Sequence, residues 1–175
     1  MGRGAGRLFS FLALILIAAA AAAFWFESAS TSPGPLEEPA TVIVPSGSGL
    51  QIIADELRAQ GVIETPMVLL LRARWRGEAH RFKAGEYAFE PGVSVDQVID
   101  MMVAGRTVVH RITLPEGWTS AQIAELIAAD DILSGELAAV PAEGSLLPET
   151  YHFERGEDRN ALVARMTAAM DDTLV

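Results

Sequence analysis

One glutamate followed by a short apolar loop stands out between residues 142 and 153, which read Ala-Glu-Gly-Ser-Leu-Leu-Pro-Glu-Thr-Tyr-His-Phe. Glu143 precedes a glycine and the apolar pair Leu146 and Leu147, and Pro148 interrupts regular secondary structure there. A carboxyl group held against apolar surface keeps its proton to higher pH, because its charged form is poorly solvated. Glu143 is therefore a candidate general acid, although such a composition is more often an ordinary surface loop.

Composition excludes several other kinds of chemistry. Cysteine is absent, so the chain has neither a disulfide framework nor a thiolate site. His80, His110 and His152 are scattered without the spacing of zinc ligands. The formal net charge is −10, and it becomes −12 once Arg3 and Arg7 at the N-terminus are left out. Such an acidic chain argues against nucleic-acid binding.

The N-terminal segment predicts a membrane anchor. Leu8–Phe26 is an uncharged and almost wholly apolar run, and roughly 20 such residues span a bilayer core. Arg3 and Arg7 precede the run and Glu27 follows it, so the positive-inside rule places the N-terminus in the cytoplasm. The rest of the chain is then expected in the periplasm, attached to the inner membrane by a single span.

A cleaved signal peptide is the competing interpretation of this segment, with residues 28–30 (Ser-Ala-Ser) as the cleavage site. The length of the apolar run and its aromatic outer end favour a retained anchor. Residues 27–40 are rich in Pro, Ser and Thr, which predicts a semi-extended linker.

A recurring unit organises the chain after the linker. It consists of a short apolar strand, a Pro/Gly turn and an amphipathic helix, and its three strand-and-turn segments are 42–47, 87–92 and 112–117. Ser94-Val95-Asp96-Gln97 and Thr119-Ser120-Ala121-Gln122 fit the capping box of a helix start, and Ser48 or Gly49 would cap the first helix.

Another helix is expected to begin at Thr65-Pro66, between the first two copies of the unit. Met67, Leu70, Leu71 and Trp75 are predicted to form its apolar face. Its arginines lie near other basic residues, and a solvated charged surface is favoured over a ligand-binding patch. These residues are Arg72, Arg74, Arg76, Arg81 and Lys83.

From residue 41 to residue 109 the predicted order is strand, helix, helix, strand, helix, strand. This order defines an α+β module with a small sheet, and its topology loosely resembles the LysM type of glycan-binding module. Residues 110–175 are expected to begin a mixed α/β domain that ends in a helix from Asp158 to Leu174. That helical pattern reaches the last residue without a stop signal, so the domain is expected to be truncated. The predicted divisions are 1–26 for the anchor, 27–40 for the linker, 41–109 and 110–175.

Four short motifs give the chain a resemblance to a known family. They are Val44-Pro45-Ser46-Gly47 with Ile53-Ala54, Lys83-Ala84-Gly85-Glu86-Tyr87, Leu114-Pro115-Glu116-Gly117-Trp118-Thr119, and Glu143-Gly144-Ser145-Leu146-Leu147-Pro148-Glu149-Thr150-Tyr151. In order and spacing they resemble the endolytic murein transglycosylases, the family of membrane-bound lytic transglycosylase G. The resemblance covers the membrane-proximal half of such an enzyme, and the family continues beyond it with further acidic motifs.

The resemblance implies that Glu143 is the catalytic acid of an endolytic lytic transglycosylase. Such an enzyme breaks the β-1,4 bond between N-acetylmuramic acid and N-acetylglucosamine in peptidoglycan and leaves a 1,6-anhydro end, which terminates a glycan strand during cell wall assembly. One carboxyl group can serve first as acid and then as base, because the nucleophile is the sugar's own hydroxyl. The implied enzyme needs no metal and no cofactor. Its implied partners are glycan strands, inner membrane lipid and, as a further candidate, peptidoglycan synthases.

Other residues near the motif have weaker claims to a role. Tyr151 and Trp118 could contact a sugar, although packing is favoured for Tyr151 and is at least as expected for Trp118. Glu149 is a further substrate-binding candidate, but it is more expected to accept a backbone hydrogen bond, and Glu116 is interpreted as a turn residue. The alternative function is a non-catalytic, membrane-tethered peptidoglycan-binding or scaffold module.

Overall fold

The structure is a computed structural model that describes residues 3–173, with side chains from residue 11 onward. Its described part is mixed α and β, with the order predicted between residues 41 and 109 confirmed. The elements are α1 (Arg3–Thr31), β1 (Ala40–Val44), α2 (Leu50–Ala59), α3 (Pro66–Trp75), β2 (Gly85–Phe89), α4 (Val95–Ala104), β3 (Val109–Thr113), α5 (Ser120–Ala128), β4 (Thr150–Glu154) and α6 (Arg159–Thr173). Strands β1 and β2 form one two-stranded sheet, and β3 and β4 form another.

Helix α1 fits a single-pass membrane anchor. Its stretch Phe11–Thr31 is long and apolar enough to cross a bilayer by length and composition, a test that an N-terminal signal sequence also passes. The helix continues through Thr31, so the first residues of the predicted linker are helical. The linker is also more tightly held than its composition predicted. The N–H of Gly34 donates to the carbonyl of Val93 over 3.2 Å, and a Cβ atom at Gly34 would lie 2.3 Å from that oxygen.

The repeated unit forms as predicted because its signals are local. Ser94 and Thr119 each accept the N–H three residues on and close capping boxes at the starts of α4 and α5, and Gly49 is the N-cap of α2. The three turns between strand and helix each place a glycine in the left-handed region, where a side chain would be strained. These glycines are Gly47, Gly92 and Gly117, with φ of 81°, 72° and 80°.

The chain divides into two compact units. The first contains residues up to 42, 47–83 and 88–105, and the second contains 43–46, 84–87 and the residues from 106 on. The predicted divisions at residues 27, 41 and 110, and the likeness to LysM, stay predictions. The largest fully buried side chains of the first unit include Leu57, Leu69, Ile99 and Met102.

The prediction for the apolar face of α3 is largely wrong. Val68, Leu69, Leu70 and Ala73 are the buried apolar residues of this helix, and only Leu70 belongs to the predicted set. The other three members of that set are exposed, namely Met67, Leu71 and Trp75. Apolar residues occupy most of this helix, so their spacing did not distinguish the inner face from the outer one.

Ion pairs neutralise Arg72 and Arg76, two of the arginines that the sequence suggested were solvated. Arg72 is only 8% exposed, and its guanidinium donates to Asp96 over 2.7 and 2.8 Å and to Glu27 over 2.8 and 3.2 Å. These hydrogen bonds, the one to Asp96 above all, raise the pKa of Arg72 above its ordinary value. Arg76 pairs with Asp96 and Asp100 as well. Arg72 and Arg76 of α3 therefore belong to a partly buried ion cluster rather than to a free basic patch.

The second unit is built on the antiparallel pair β3–β4. The register joins Val109 to Glu154 and Thr113 to Thr150. One face of the sheet carries Ile112, Tyr151 and Phe153 into the core, and the other face is exposed. Helices α5 and α6 complete this core with Ile123, Ile127, Leu162 and Met166.

Charged side chains cap the start of α6 and the end of α5, the two helices that cover the sheet. The carboxylate of Asp158 accepts the N–H groups of Asn160 over 2.9 Å and Ala161 over 3.1 Å, so Asp158 caps the start of α6. The guanidinium of Arg159 donates to the carbonyls of Ile127 over 3.0 Å and Asp130 over 2.6 Å, so it satisfies acceptors at the C-terminal end of α5. The predicted end of the last helix, at Leu174, lies outside the described residues.

Candidate active site

The loop that carries Glu143 is fixed on its N-terminal side by two hydroxyl groups. Ser120 and Ser145 both donate to the carbonyl of Ala142, with Oγ–O distances of 2.9 and 2.7 Å. The N–H of Ser145 also donates to that carbonyl over 3.2 Å and closes a turn around Glu143. Ser120 is the first residue of α5, so these contacts join the loop to the start of that helix.

The C-terminal side of the loop is held by the core of the second unit. Leu146 is buried, and the hydroxyl of Tyr151 donates to the carbonyl of Leu147 over 2.9 Å. The N–H of Leu114 donates to the carbonyl of Glu149 over 3.0 Å, which extends the pairing of β3 with β4. The segment around Pro148 is therefore a shaped loop, as its sequence indicated, because backbone or side-chain contacts hold it on both sides.

Glu143 lies at the N-terminal end of α5. The N–H of Ser120 donates to Glu143 Oε2 over 3.0 Å. This N–H belongs to the first turn of a helix, where backbone donors have no partner within the helix and attract anions. The side chain of Glu143 is exposed, and within the described residues no hydrogen bond to its Oε1 is formed.

The apolar setting predicted for Glu143 is not what the structure shows. The glutamate is exposed, whereas Leu146 turns away from it into the core. The physical reason is the turn closed by Ser145, which lets the two side chains leave the loop in different directions. Backbone hydrogen bonding, rather than apolar contact, is what holds this carboxylate in the described chain.

Tyr151 packs into the core of the second unit. Its ring is buried, and its hydroxyl is used by the carbonyl of Leu147. Burial raises the pKa of Tyr151, and the nearby charge of Glu149 raises it further. The position of Tyr151 agrees with the packing role that the sequence favoured, and its hydroxyl holds the loop at the carbonyl of Leu147.

The remaining predicted residues lie at the surface of the same unit. Trp118 is 43% exposed and comes two residues before Ser120, so it borders the start of α5 on the chain. The side chain of Glu149 is exposed, and its backbone carbonyl, not its carboxylate, makes the contact with Leu114. Glu116 is exposed in the turn before α5, as its interpretation as a turn residue requires.

Ser120 contacts the loop of Glu143, which the sequence did not indicate. It is 2% exposed, and it contacts the loop through both its backbone N–H and its hydroxyl. The signal available in the sequence was its place after the capping residue Thr119, where an unpaired backbone N–H is expected. Nothing in the spacing indicated that residue 143 would supply the acceptor.

A second group of charged residues in this unit also escaped prediction. Glu86 is buried, the Nε of Arg155 donates to its Oε2 over 2.7 Å, and His110 Nε2 lies 2.7 Å from the same oxygen. Burial would raise the pKa of Glu86, but the hydrogen bonds from Arg155 and His110 outweigh it, so the pKa lies below its usual value. This cluster joins residues far apart in sequence and has a structural role.

The described residues hold no group of three or more His, Cys, Asp or Glu side chains that could bind a metal ion. What the site offers chemically is a single exposed carboxyl group on a fixed loop, with a backbone donor on one of its oxygens. Such a group can give up and take back a proton.

Comparison with known proteins assigns the family. The model of the YceG-like family matches residues 42–175, which is most of the chain. The chain belongs to the YceG-like family. The match includes the loop of Glu143, the turn before α5 and all three repeated units.

Among relatives, an endolytic murein transglycosylase of Streptococcus pneumoniae is 24% identical over 176 residues, covering 77% of this chain and 32% of that protein. An endolytic murein transglycosylase of Bacillus subtilis is 34% identical over 86 residues, covering 49% of this chain and 24% of that protein. The chain therefore spans about a third or less of the length of these relatives. A crystal structure of a YceG-like protein from Listeria monocytogenes is 24% identical, covers 79% of this chain and 55% of that one, and has a TM-score of 0.45.

Proposed function

We propose that the chain is the membrane-proximal part of an endolytic lytic transglycosylase, with Glu143 as its catalytic acid. The observation that carries this proposal is the placement of Glu143. It lies in the loop that a family model covers, and contacts on both sides fix that loop. The two relatives named endolytic murein transglycosylases support peptidoglycan as the substrate class.

The proposed reaction cleaves the β-1,4 bond between N-acetylmuramic acid and N-acetylglucosamine. A proton on Glu143 Oε1 passes to the glycosidic oxygen as the bond from that oxygen to C1 of the muramic acid breaks. The hydroxyl oxygen on C6 of the same sugar then bonds to C1, and its proton returns to Glu143. The products are a 1,6-anhydro end and a free N-acetylglucosamine end, and no water is consumed.

The hydrogen bond from Ser120 has a defined part in this sequence. Proton donation leaves a negative carboxylate, and a backbone N–H already aimed at Oε2 stabilises that charge without reorganisation. The same bond holds Oε2 in place, so that Oε1 is the oxygen that meets the substrate. Ser120 is thus a positioning residue that acts through Glu143.

Because Glu143 is exposed, this part of the proposed enzyme does not by itself exclude water from the acid. A general acid works best when water is excluded from it, because a less polar setting favours the protonated form of a carboxyl group. We propose that a bound glycan strand and the remaining length of the complete protein cover Glu143 during the reaction. Trp118, exposed beside the start of α5, is a candidate to stack on a sugar ring of that strand.

The remaining parts of the proposal concern location and partners. Helix α1 anchors the chain in the inner membrane with its N-terminus in the cytoplasm, and both compact units lie in the periplasm. The first unit is a LysM-like module that binds glycan strands. Strand termination during cell wall assembly would bring the protein near peptidoglycan synthases, which are its proposed protein partners.

The test is the release of anhydro-muropeptides from purified peptidoglycan by the complete protein that contains this chain. Glu143→Gln keeps the shape and removes the acid, and the expected loss of rate is about 10²- to 10⁴-fold. Glu116→Gln is the matched control, because Glu116 is an exposed acid in the turn before α5 of the same unit and should release product at the parental rate. Equal release by the parent and by Glu143→Gln would refute the assignment.

The exposure of Glu143 also favours a second candidate function, a non-catalytic peptidoglycan-binding or scaffold module tethered to the membrane. This module would sediment with insoluble peptidoglycan and release no anhydro product, whichever residue is present at position 143. Binding to peptidoglycan together with release of anhydro product that depends on Glu143 would exclude this second function.

A further inference from the structure

The outer face of α3 is an apolar stripe that the first unit leaves uncovered. Met67, Leu71 and Trp75 are four residues apart, so they lie above one another on one side of the helix. All three are exposed, and Trp75 is the most exposed at 72%. The opposite side of the helix buries Leu69 and Ala73 in the core. Large apolar side chains exposed along one face of a helix mark an interaction surface.

The stripe is continuous with the C-terminal part of α1, the helix that is long enough to span a membrane. The rings of Trp75 and Phe26 meet edge to face, with centroids 6.4 Å apart. The guanidinium of Arg72 lies 5.1 Å from the ring centroid of Trp75 and 6.0 Å from that of Phe26, and it pairs with Glu27 of α1. The C-terminal end of α3 is therefore attached to α1 at the point where the apolar run ends.

The residues around this junction are those of a membrane–water interface. Phe24 and Trp25 on α1 are exposed, and aromatic side chains at the end of a spanning helix lie at the level of lipid head groups. Trp75 contacts the ring of Phe26, which is the next residue of α1, so Trp75 lies close to the level of the head groups. Arg74 is exposed between Leu71 and Trp75 on α3 and has no acidic partner among the described residues. An arginine so placed can pair with a lipid phosphate while its stem covers apolar surface.

We infer that the face of α3 formed by Met67, Leu71, Arg74 and Trp75 binds the surface of the bilayer that α1 crosses. The occupant is lipid, because the stripe is continuous with the residues of α1 that lie in the interface. Apolar insertion supplies the affinity and Arg74 contacts the phosphates. The first unit is thereby held on the membrane by a second contact in addition to the span. This inference rests on α1 being embedded and is independent of the chemistry of Glu143.

The test compares tryptophan side chains in the full chain inserted into lipid nanodiscs. The chain has three tryptophans, so one variant keeps only Trp75 (Trp25→Phe and Trp118→Phe) and another keeps only Trp118. Iodide quenches tryptophans that face water, and lipids brominated near the head group quench those that enter the bilayer. Without lipid contact Trp75 should be quenched by iodide more than Trp118, because it is 72% exposed against 43%. Lipid contact reverses this order and adds quenching of Trp75 by brominated lipid.

A pair of substitutions in the variant that retains Trp75 sharpens the comparison. Leu71→Glu is expected to restore iodide quenching of Trp75 severalfold, because a charge next to it lifts the stripe out of lipid. Ile52→Glu is the matched control, an exposed apolar residue of α2 in the same unit that should leave the quenching of Trp75 unchanged. Both positions are exposed, so neither change disturbs the core.

Each outcome decides the inference. Stronger iodide quenching of Trp75 than of Trp118 in nanodiscs overturns it. Protection of Trp75 from iodide without quenching by brominated lipid also overturns it, because that result means a protein covers the stripe. Failure of the chain to co-elute with the nanodisc also overturns the inference, because α1 would then not be embedded in lipid. The assay of anhydro-muropeptide release tests the proposed enzyme separately.

Discussion

Replacing Ser120 by proline should remove the hydrogen bond that holds Glu143 while leaving the helix in place. Ser120 is the first residue of α5, where proline is tolerated because its missing N–H has no acceptor within the helix. The preceding Thr119 has φ −73° and ψ 154°, the extended conformation that a residue before proline favours. The change therefore removes the backbone donor to Glu143 Oε2, together with the hydroxyl donor to Ala142, and keeps the start of the helix.

The stability effect can be worked from the contacts of the two groups. Ser120→Ala removes only the hydroxyl and should cost about 1 kcal/mol, since the carbonyl of Ala142 keeps its bond from Ser145. Ser120→Pro also removes the N–H, and the further loss of about 1 kcal/mol is offset by about 0.4–1 kcal/mol because proline restricts the unfolded chain. The two variants should therefore melt within about 4 °C of each other.

The activity effect should separate the two variants. If the N–H of Ser120 stabilises the carboxylate left by proton donation, losing about 1.4 kcal/mol of that stabilisation slows the reaction about tenfold. Release of anhydro-muropeptides by the complete protein should fall by about this factor in Ser120→Pro relative to Ser120→Ala. Equal rates in two folded variants of similar melting temperature would refute the positioning role of Ser120.

Three further changes probe the packing of the two units. The stability of the first unit should fall as pH drops below 3.8, the ordinary pKa of aspartate. The hydrogen bond from Arg72 holds the pKa of Asp96 below that value, so its stabilisation is lost as Asp96 is protonated. Circular dichroism melts at several pH values measure this loss, and Asp96→Asn should not show it. Arg72→Met should lower the free energy of unfolding by about 2 kcal/mol in denaturant titrations, because the partly buried Asp96 keeps only its longer contact with Arg76, and a change below about 0.5 kcal/mol would contradict this. Tyr151→Phe should cost about 1 kcal/mol with the fold retained, measured in the same way, because it frees the carbonyl of Leu147.

The elements that the sequence predicted well are those specified by neighbouring residues. The capping boxes at Ser94 and Thr119, the proline at the start of α3 and the turn glycines each act within a few positions of the chain. The turn glycine recurs three times, and each time a helix follows it. Local structure of this kind follows from hydrogen bonding and backbone sterics, which the order of residue types reveals directly.

The features that the sequence did not predict depend on contacts between distant residues. Arg72 meets Asp96 and Glu27, which are 24 and 45 positions away, and no spacing rule links them. The buried side of α3 was assigned to the wrong residues because both sides are apolar, and tertiary packing alone decides between them. Likewise the motif identified Glu143, but its acceptance of the N–H of Ser120, 23 positions away, appears only in the fold.

The position of Glu143 and the demands on a general acid together limit how the proposed enzyme can work. The chain fixes the loop through Ala142 and Leu147 and holds one carboxylate oxygen, so orientation is supplied locally. Removal of water is not supplied locally, because the side chain is exposed. Exclusion of water strengthens the electrostatic interactions of a site, and a less polar setting favours the protonated form of a carboxyl group. Binding of the glycan strand is therefore expected to complete the site as well as to place the bond, and a substrate too short to cover Glu143 should bind without being cleaved.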